Sequence, residues 1–287
     1  MSSRTIFLVL FLAAVAAVAA WPRRGAHPVA PQGAKRIVSL VPSATEILFD
    51  IGAGDRVVGV TTWCRWPPEA RTRTIVGDFA SPNVERIMAL KPDVVVEAAS
   101  HPDTLQKIRS AGLPVEEIRV LTLADTLDQY NVLGRAAGLP EAAAAARARL
   151  EQAMSAEEAR WKTAKRVKIA LVIGRDEHAA QDIYVAGGKS FLSELAVRAG
   201  AENVFADIAR EFEKVSPEQF ILRAPDVILE LNSVRPPTDA EALAAWAKLG
   251  DIPAVREKRV RVLSQDYILQ PGPRMALTIR ALGEALR

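Results

Sequence analysis

Side chains with chemical reach are sparse in this chain. It has three histidines, His27, His101 and His178, and a single cysteine, Cys64. The histidines stand far apart, and no two have the spacing that sets a pair of metal ligands on one helix face. No serine sits in a Gly-x-Ser-x-Gly elbow. Ala186-Gly187-Gly188-Lys189-Ser190 ends like a phosphate-binding loop, but Ile183 stands where that motif needs its first glycine, so a glycine turn into a helix is expected there instead. No nucleophile, base and oxyanion hole assemble, and the pattern points to binding rather than catalysis.

Binding features are better developed. Thr61-Thr62-Trp63-Cys64-Arg65-Trp66-Pro67-Pro68 carries two of the five tryptophans in a stretch without strand or helix periodicity. Trp63 and Trp66 on such a loop suit a large, flat ligand. Cys64 between them is either a metal ligand or an inert thiol. Ser43-Ala44-Thr45-Glu46 reads as a capping box after a strand, and the free N–H groups of its helix would face the sheet end where ligands gather in α/β folds. Glu85 and Glu218 form the sharpest pair. Asn83 and Ser216 read as N-caps, so each glutamate falls at the second helical position, where the dipole favours a carboxylate. Two outward acidic points suit a partner bearing two arginines.

The elements that must position these residues alternate. Short apolar runs at Ile37 to Val41, Val57 to Thr61, Val94 to Ala98 and Val115 to Leu121 are separated by helical patterns from Ser43, about Asn83 and Pro102. Alternation resumes later with Val167 to Ile173, Ile183 to Ala186, Val227 to Leu231 and Arg259 to Leu263, and with helices up to Ala199, from Ser216, near Ala240 to Leu249 and from about Arg274. Such alternation predicts βαβ units and mostly parallel sheets. Between the two series lie a helix from about Ala124 to Ala137 and a longer one from Glu141 to about Ala164, opened by Pro140. The long helix lacks internal Gly and Pro, would extend roughly 35 Å, and carries an apolar stripe of Ala143, Ala146, Leu150, Met154 and Trp161.

The halves also echo each other. Glu85, Pro92, Asp93, Val94 and Glu97 recur as Glu218, Pro225, Asp226, Val227 and Glu230, each 133 positions on (218 − 85 = 133). A second match pairs Glu46, Gly52 and Ala53 with Glu194, Gly200 and Ala201, offset by 148 (194 − 46 = 148), which places extra loop between Gly59 and Gly77. The expected fold class is therefore α/β, with two βαβ-type lobes joined by a single long rigid helix and a ligand cleft between the lobes. The expected boundaries are 36–123 and 166–287 for the lobes and 124–165 for the helical connection.

Met1 to Ala20 has one positive charge, Arg4, then an apolar run ending in small residues, which is the pattern of a secretory signal peptide. The run from Ile6 to Ala20 is shorter than the roughly 20 residues that span a bilayer, leaving an uncleaved anchor as the other reading. Residues 21–35 read as a flexible tether. With 49% hydrophobic and 25% charged residues and a net charge of +3, the chain is globular and has no basic block suited to nucleic acid. One cysteine allows no disulfide within the chain.

Arg36-Ile37-Val38-Ser39-Leu40-Val41-Pro42-Ser43-Ala44-Thr45-Glu46, Val84-Glu85-Arg86-Ile87 with Leu90-Lys91-Pro92-Asp93, Gly187-Gly188-Lys189-Ser190 with Ala199-Gly200-Ala201-Glu202-Asn203, and Pro271-Gly272-Pro273-Arg274 resemble, in order, the cobalamin-receptor branch of the helical-backbone periplasmic binding proteins. That family serves ABC importers for cobalamin, haem and iron-siderophores. The resemblance, over about Arg36 to Arg287, implies a periplasmic monomer that binds a corrinoid or similar macrocycle as transported ligand, with no cofactor of its own and no resident metal. It implies ligand contacts at Pro42, Trp63, Phe79, Tyr184, Phe212, Asp266 and Tyr267, and aromatic character is kept at all five aromatic positions. Gln270 departs from the pattern, standing where the cobalamin receptor has an arginine that contacts ligand amides. Glu85 and Glu218 align with the glutamates that such receptors insert between arginines of the permease dimer. Haem or a ferric siderophore is the alternative ligand, with Tyr184 or Tyr267 as an iron ligand. An enzyme acting on a corrinoid is the remote one.

Overall fold

A computed structural model describes residues 32–162, 166–176 and 182–287. The expected signal peptide, the anchor alternative and most of the tether lie outside the described residues, as do His27, His178 and residues 163–165 at the expected end of the long helix. The chain divides into two compact units, one comprising residues up to Val120 with Ala124–Arg149, the other Leu121–Leu123 with Leu150–Arg287.

The first unit is a five-stranded parallel sheet in the order β3-β2-β1-β4-β5, built from β1 (Ile37–Ser39), β2 (Val57–Val60), β3 (Thr74–Ile75), β4 (Val94–Ala98) and β5 (Val115–Ile118). Every residue of β1 and β4 is buried, as expected for central parallel strands covered on both faces. Helices α1 (Pro42–Asp50), α2 (Val84–Ala89), α3 (Pro102–Ser110) and α4 (Leu123–Ala137) follow in sequence. Val38, Leu40, Val76, Ile87, Val95 and Ile108 pack as one core. The two-residue β3 lies inside the extra loop between Gly59 and Gly77.

The long helix α5 (Pro140–Trp161) begins on the expected proline. Its whole predicted stripe, Ala143, Ala146, Leu150, Met154 and Trp161, is buried. The division between the units falls within it, after Arg149. In the first unit, Arg149 pairs with Asp50, which also accepts from the Tyr130 hydroxyl at 3.1 Å.

The second unit has strands β6 (Val167–Gly174), β7 (Ile183–Ala186), β8 (Ala201–Asn203), β9 (Phe212–Val215), β10 (Val227–Leu231) and β11 (Val260–Leu263), in the order β11-β10-β6-β7-β9 with β8 also on β6. β6, β8, β10 and β11 run parallel, while β7 is antiparallel to both β6 and β9. Helices α6 (Phe191–Arg198), α7 (Glu218–Arg223), α8 (Asp239–Trp246), α9 (Pro253–Arg256) and α10 (Met275–Ala285) complete it. Phe220 sits between Phe205 and Trp246, with ring centroids 5.1 and 4.6 Å away, at the centre of this core. The last turns of α5 pack on α10: a side chain at Gly283 would strike the Trp161 ring, and Glu157 accepts from Arg280 Nε at 2.9 Å.

The sequence echo has a structural meaning. Asp93 ends the α2–β4 turn, and its carboxylate accepts from the N–H groups of Lys35 (2.7 Å) and Arg36 (2.9 Å), while its own N–H donates to the Arg36 carbonyl. Asp226 ends the α7–β10 turn and does the same to Lys168, taking its N–H at 3.1 Å and donating to its carbonyl. In each unit a Pro-Asp turn thus clamps a central strand to its neighbour.

Candidate functional site

In the first unit the expected ligand residues follow the C-terminal ends of the parallel strands, where α/β sheets collect ligands. Pro42 follows β1, Trp63 and Trp66 follow β2, and Phe79 follows β3. Pro42, Trp63 and Phe79 are half-buried and Trp66 is exposed. Trp63 Nε1 donates to Asp78 at 3.3 Å, the Arg65 guanidinium lies 4.7 Å from the Trp63 ring, and Phe79 meets His101 edge-on. The tryptophan loop hangs from a buried peg. Cys64 is 3% exposed, and its sulfur takes hydrogen bonds with the Thr45 and Thr61 hydroxyls at 3.1 and 3.3 Å. Burial pushes this thiol up from its ordinary range, against the opposing pull of those hydroxyls. Cys64 is an anchor for the loop, not an exposed ligand.

Ser43 is not the helix cap the sequence suggested. Pro42 occupies the first helical position with its φ already fitted, Val41 in extended conformation becomes the N-cap, and no side chain caps the turn. Ser43 is instead buried and donates to Gln129 Oε1 at 3.2 Å, while Gln129 donates to the Arg119 carbonyl at 2.8 Å.

In the second unit, Tyr184 pairs with Lys214 across β7–β9 and with Gly174 at the C-terminal end of β6. Asp266, Tyr267 and Gln270 follow β11. Phe212 stands apart: it opposes Ala186 at the far end of β7 and is buried at 4%. Gln270 only closes a turn, donating its N–H to the Tyr267 carbonyl. A cation does stand four residues on, at Arg274 in the Pro-Gly-Pro-Arg turn, a residue to which the sequence pattern gave no role. Its Nη1 donates to Asp266 at 2.8 Å, and its guanidinium lies 5.5 Å from the Tyr267 ring centre. Burial pushes the Tyr267 hydroxyl up from its ordinary range.

The glycine turn behaves as predicted. Side chains at Gly187 and Gly188 would collide with the carbonyl oxygens of Arg210 and Ala206, and their N–H groups donate to Glu211 and Ile208. Those donors are therefore taken and cannot cradle a phosphate. Ser190 caps α6 by accepting from Leu192 N–H. Among the described residues, no three His, Cys, Asp or Glu side chains are grouped to hold a metal ion, and no helix is long and apolar enough to cross a membrane.

Glu85 and Glu218 are both exposed. Glu85 is at the second position of α2, capped by Asn83, which accepts from Arg86 N–H as predicted. Glu218 is the first residue assigned to α7, but Pro217 before it already has helical dihedrals, φ −55° and ψ −35°, so the carboxylate keeps the expected second helical position while no side chain caps the turn. The Ser216 hydroxyl instead bonds the Glu218 carboxylate and, with a backbone N–H, holds it below the usual carboxylate range.

A family model described as periplasmic binding protein matches residues 37–267. A vitamin B12-binding protein of Vibrio parahaemolyticus is 30% identical over 248 residues, covering 86% of this chain and 87% of that protein. Among solved structures, the periplasmic vitamin B12 binding protein BtuF of Vibrio cholerae is similar with a TM-score of 0.73 and 26% identity, covering 89% of this chain and 98% of that one. The periplasmic heme-binding protein RhuT from Roseiflexus sp. RS-1 is similar with a TM-score of 0.74 and 28% identity, covering 89% and 100%.

Proposed function

The chain belongs to the periplasmic binding protein family, and from that membership we propose that it captures a corrinoid outside the cytoplasm and delivers it to the permease of an ABC importer. Members of this family bind substrates and do not turn them over. The observation that carries the corrinoid is the 30% identity, over 86% of the chain, to a protein named for vitamin B12. The residues are consistent with it: Trp63, Trp66 and Phe79 in the first unit, and Tyr184 and Tyr267 in the second, offer aromatic surface to a large, flat ligand. Pro42 adds apolar contact. Asp266 and Arg274 offer an acceptor and a donor to peripheral amides.

Glu85 and Glu218 are the docking points for paired permease arginines. Each is exposed, and each is followed three residues later by an exposed apolar side chain, Met88 or Ile221. That arrangement suits an interface with a charged contact beside an apolar one. Export by the N-terminal signal peptide accounts for the extracytoplasmic location.

Titration with cyanocobalamin, read as quenching of intrinsic tryptophan fluorescence, tests the ligand. Saturation in the micromolar range or below supports it, and no saturable change refutes it. Haem is the second reading, favoured by the 28% identity to a heme-binding protein, with Tyr184 or Tyr267 as iron ligand. A Soret band that survives desalting and is lost in a tyrosine variant would establish it. A thermal-shift panel of cobalamin, cobinamide, haemin and ferric siderophores ranks the candidates, because a tight ligand raises the melting temperature by mass action.

A further inference from the structure

Glu97 is the penultimate residue of β4 and has no exposed surface; it stands at the C-terminal end of the parallel sheet, the end that the ligand residues of the first unit also follow. Oε1 accepts from the Ala98 N–H at 2.7 Å and lies 3.0 Å from His101 Nδ1, while Oε2 is buried without a partner. Its counterpart in the echo, Glu230, is treated differently: Arg175 Nε and Trp246 Nε1 both donate to it at 2.6 Å. That carboxylate is locked to a fixed cation and an indole and has a structural task. Glu97 faces an imidazole instead.

A carboxylate accepting from Nδ1–H fixes the histidine tautomer that leaves the Nε2 lone pair free, and makes that nitrogen a better donor to a metal. No described residue bonds Nε2, and the ring keeps 13% of its surface exposed. The Phe79 ring holds it from the side, at a centroid distance of 4.4 Å and an angle of 78°. Phe79 itself is among the residues expected to contact ligand. One imidazole with one carboxylate on its other nitrogen cannot retain a free ion, and among the described residues no group of three such ligands forms. A metal that arrives inside a corrin or porphyrin already has four equatorial nitrogens and needs only an axial one.

We propose that His101 Nε2 is an axial ligand to the metal of the captured macrocycle, with Glu97 as its positioning residue. The assignment rests on the macrocycle reading above. A coordinate bond forms from Nε2 to the Co(III) or Fe(III) centre, a bound water leaves, and no electron is transferred.

Three probes test it: diaquacobinamide and haemin, whose axial water exchanges, and cyanocobalamin, whose axial positions are filled. The intact protein should move the visible bands of diaquacobinamide, or the Soret band of haemin, to those of the imidazole-ligated form. His101→Ala should bind the water-bearing probe at least about tenfold more weakly and without the band shift. Added imidazole should restore the shift, and the loss of cyanocobalamin affinity should be clearly smaller than the loss for the water-bearing probe. Glu97→Gln should keep the shift at reduced affinity. Binding of a water-bearing probe without any shift, or a shift that persists in His101→Ala, overturns the coordination while leaving the macrocycle reading intact. Should His101→Ala fail to fold, the wild-type spectrum still decides. Failure of all three probes to bind the wild type overturns both.

Discussion

Arg280 donates from Nε to Glu157 Oε1 across 2.9 Å and ties α10 to the last turns of α5 within the second unit. That hydrogen bond holds the Glu157 carboxyl below the usual carboxylate range. A depressed folded value gives stability that is present above the unfolded carboxyl value of about 4.3 and is lost as pH falls through the folded one. Arg280→Ala should therefore lower stability at neutral pH, by an amount that the solvent around the guanidinium keeps small. Urea unfolding of both proteins should show the gap closing below about pH 4. A gap independent of pH would mean that the carboxylate charge has no part in it.

Glu85→Lys with Glu218→Lys places two cations where the permease is expected to present its own. Cellular uptake of cobalamin should be abolished, with cyanocobalamin affinity of the purified variant changed by less than about twofold. A large loss of affinity would refute the docking role. Met88→Ser with Ile221→Ser should weaken uptake in the same direction and by less.

Asp93→Ala removes the acceptor for two backbone N–H groups, Asp226→Ala the acceptor for one. The first should cost about 1–2 kcal/mol and the second about half as much, measured by urea unfolding. Equal costs would show that the clamp acts through its own N–H, which both variants retain.

Gly188→Ala forces a methyl group onto the Ala206 carbonyl, where backbone rather than a flexible side chain must yield. Destabilisation by about 1–3 kcal/mol is expected in thermal or urea unfolding. Inorganic phosphate should leave the melting temperature of the wild type unchanged. A dose-dependent rise would return the turn to the phosphate-binding class.

Much of the fold was legible because buried parallel strands are continuous apolar runs: Val94–Ala98 and Val227–Leu231 end at the predicted residues. Three strands gave no such signal. Thr74–Ile75 is two residues long, while Ala201–Asn203 is interrupted by Glu202 and Phe212–Val215 by Glu213 and Lys214, so neither forms an apolar run. Local cap chemistry failed at Ser43, since Pro42 set the helix start by its own φ and drew the serine into the first turn, and at Ser216, where no side chain caps the turn before α7. Within the candidate site, residue type alone marks the aromatic loops. It does not show which groups two separate segments bring together. His101 looked isolated because Glu97 is on a strand and His101 on the turn after it, so no helical period joins them. Arg274 is not legible in residue type, because only the turn after Gln270 brings its guanidinium to Asp266 and Tyr267.

The buried peg beneath the tryptophan loop has a practical side. Cys64 is the chain's lone thiol, and folding seals it. Maleimide reagents would find nothing to modify on the native molecule, so an engineered surface cysteine becomes the single point of attachment. A fluorescent reporter can then be placed at will without deleting a native residue, and the loop keeps the anchor that positions its rings.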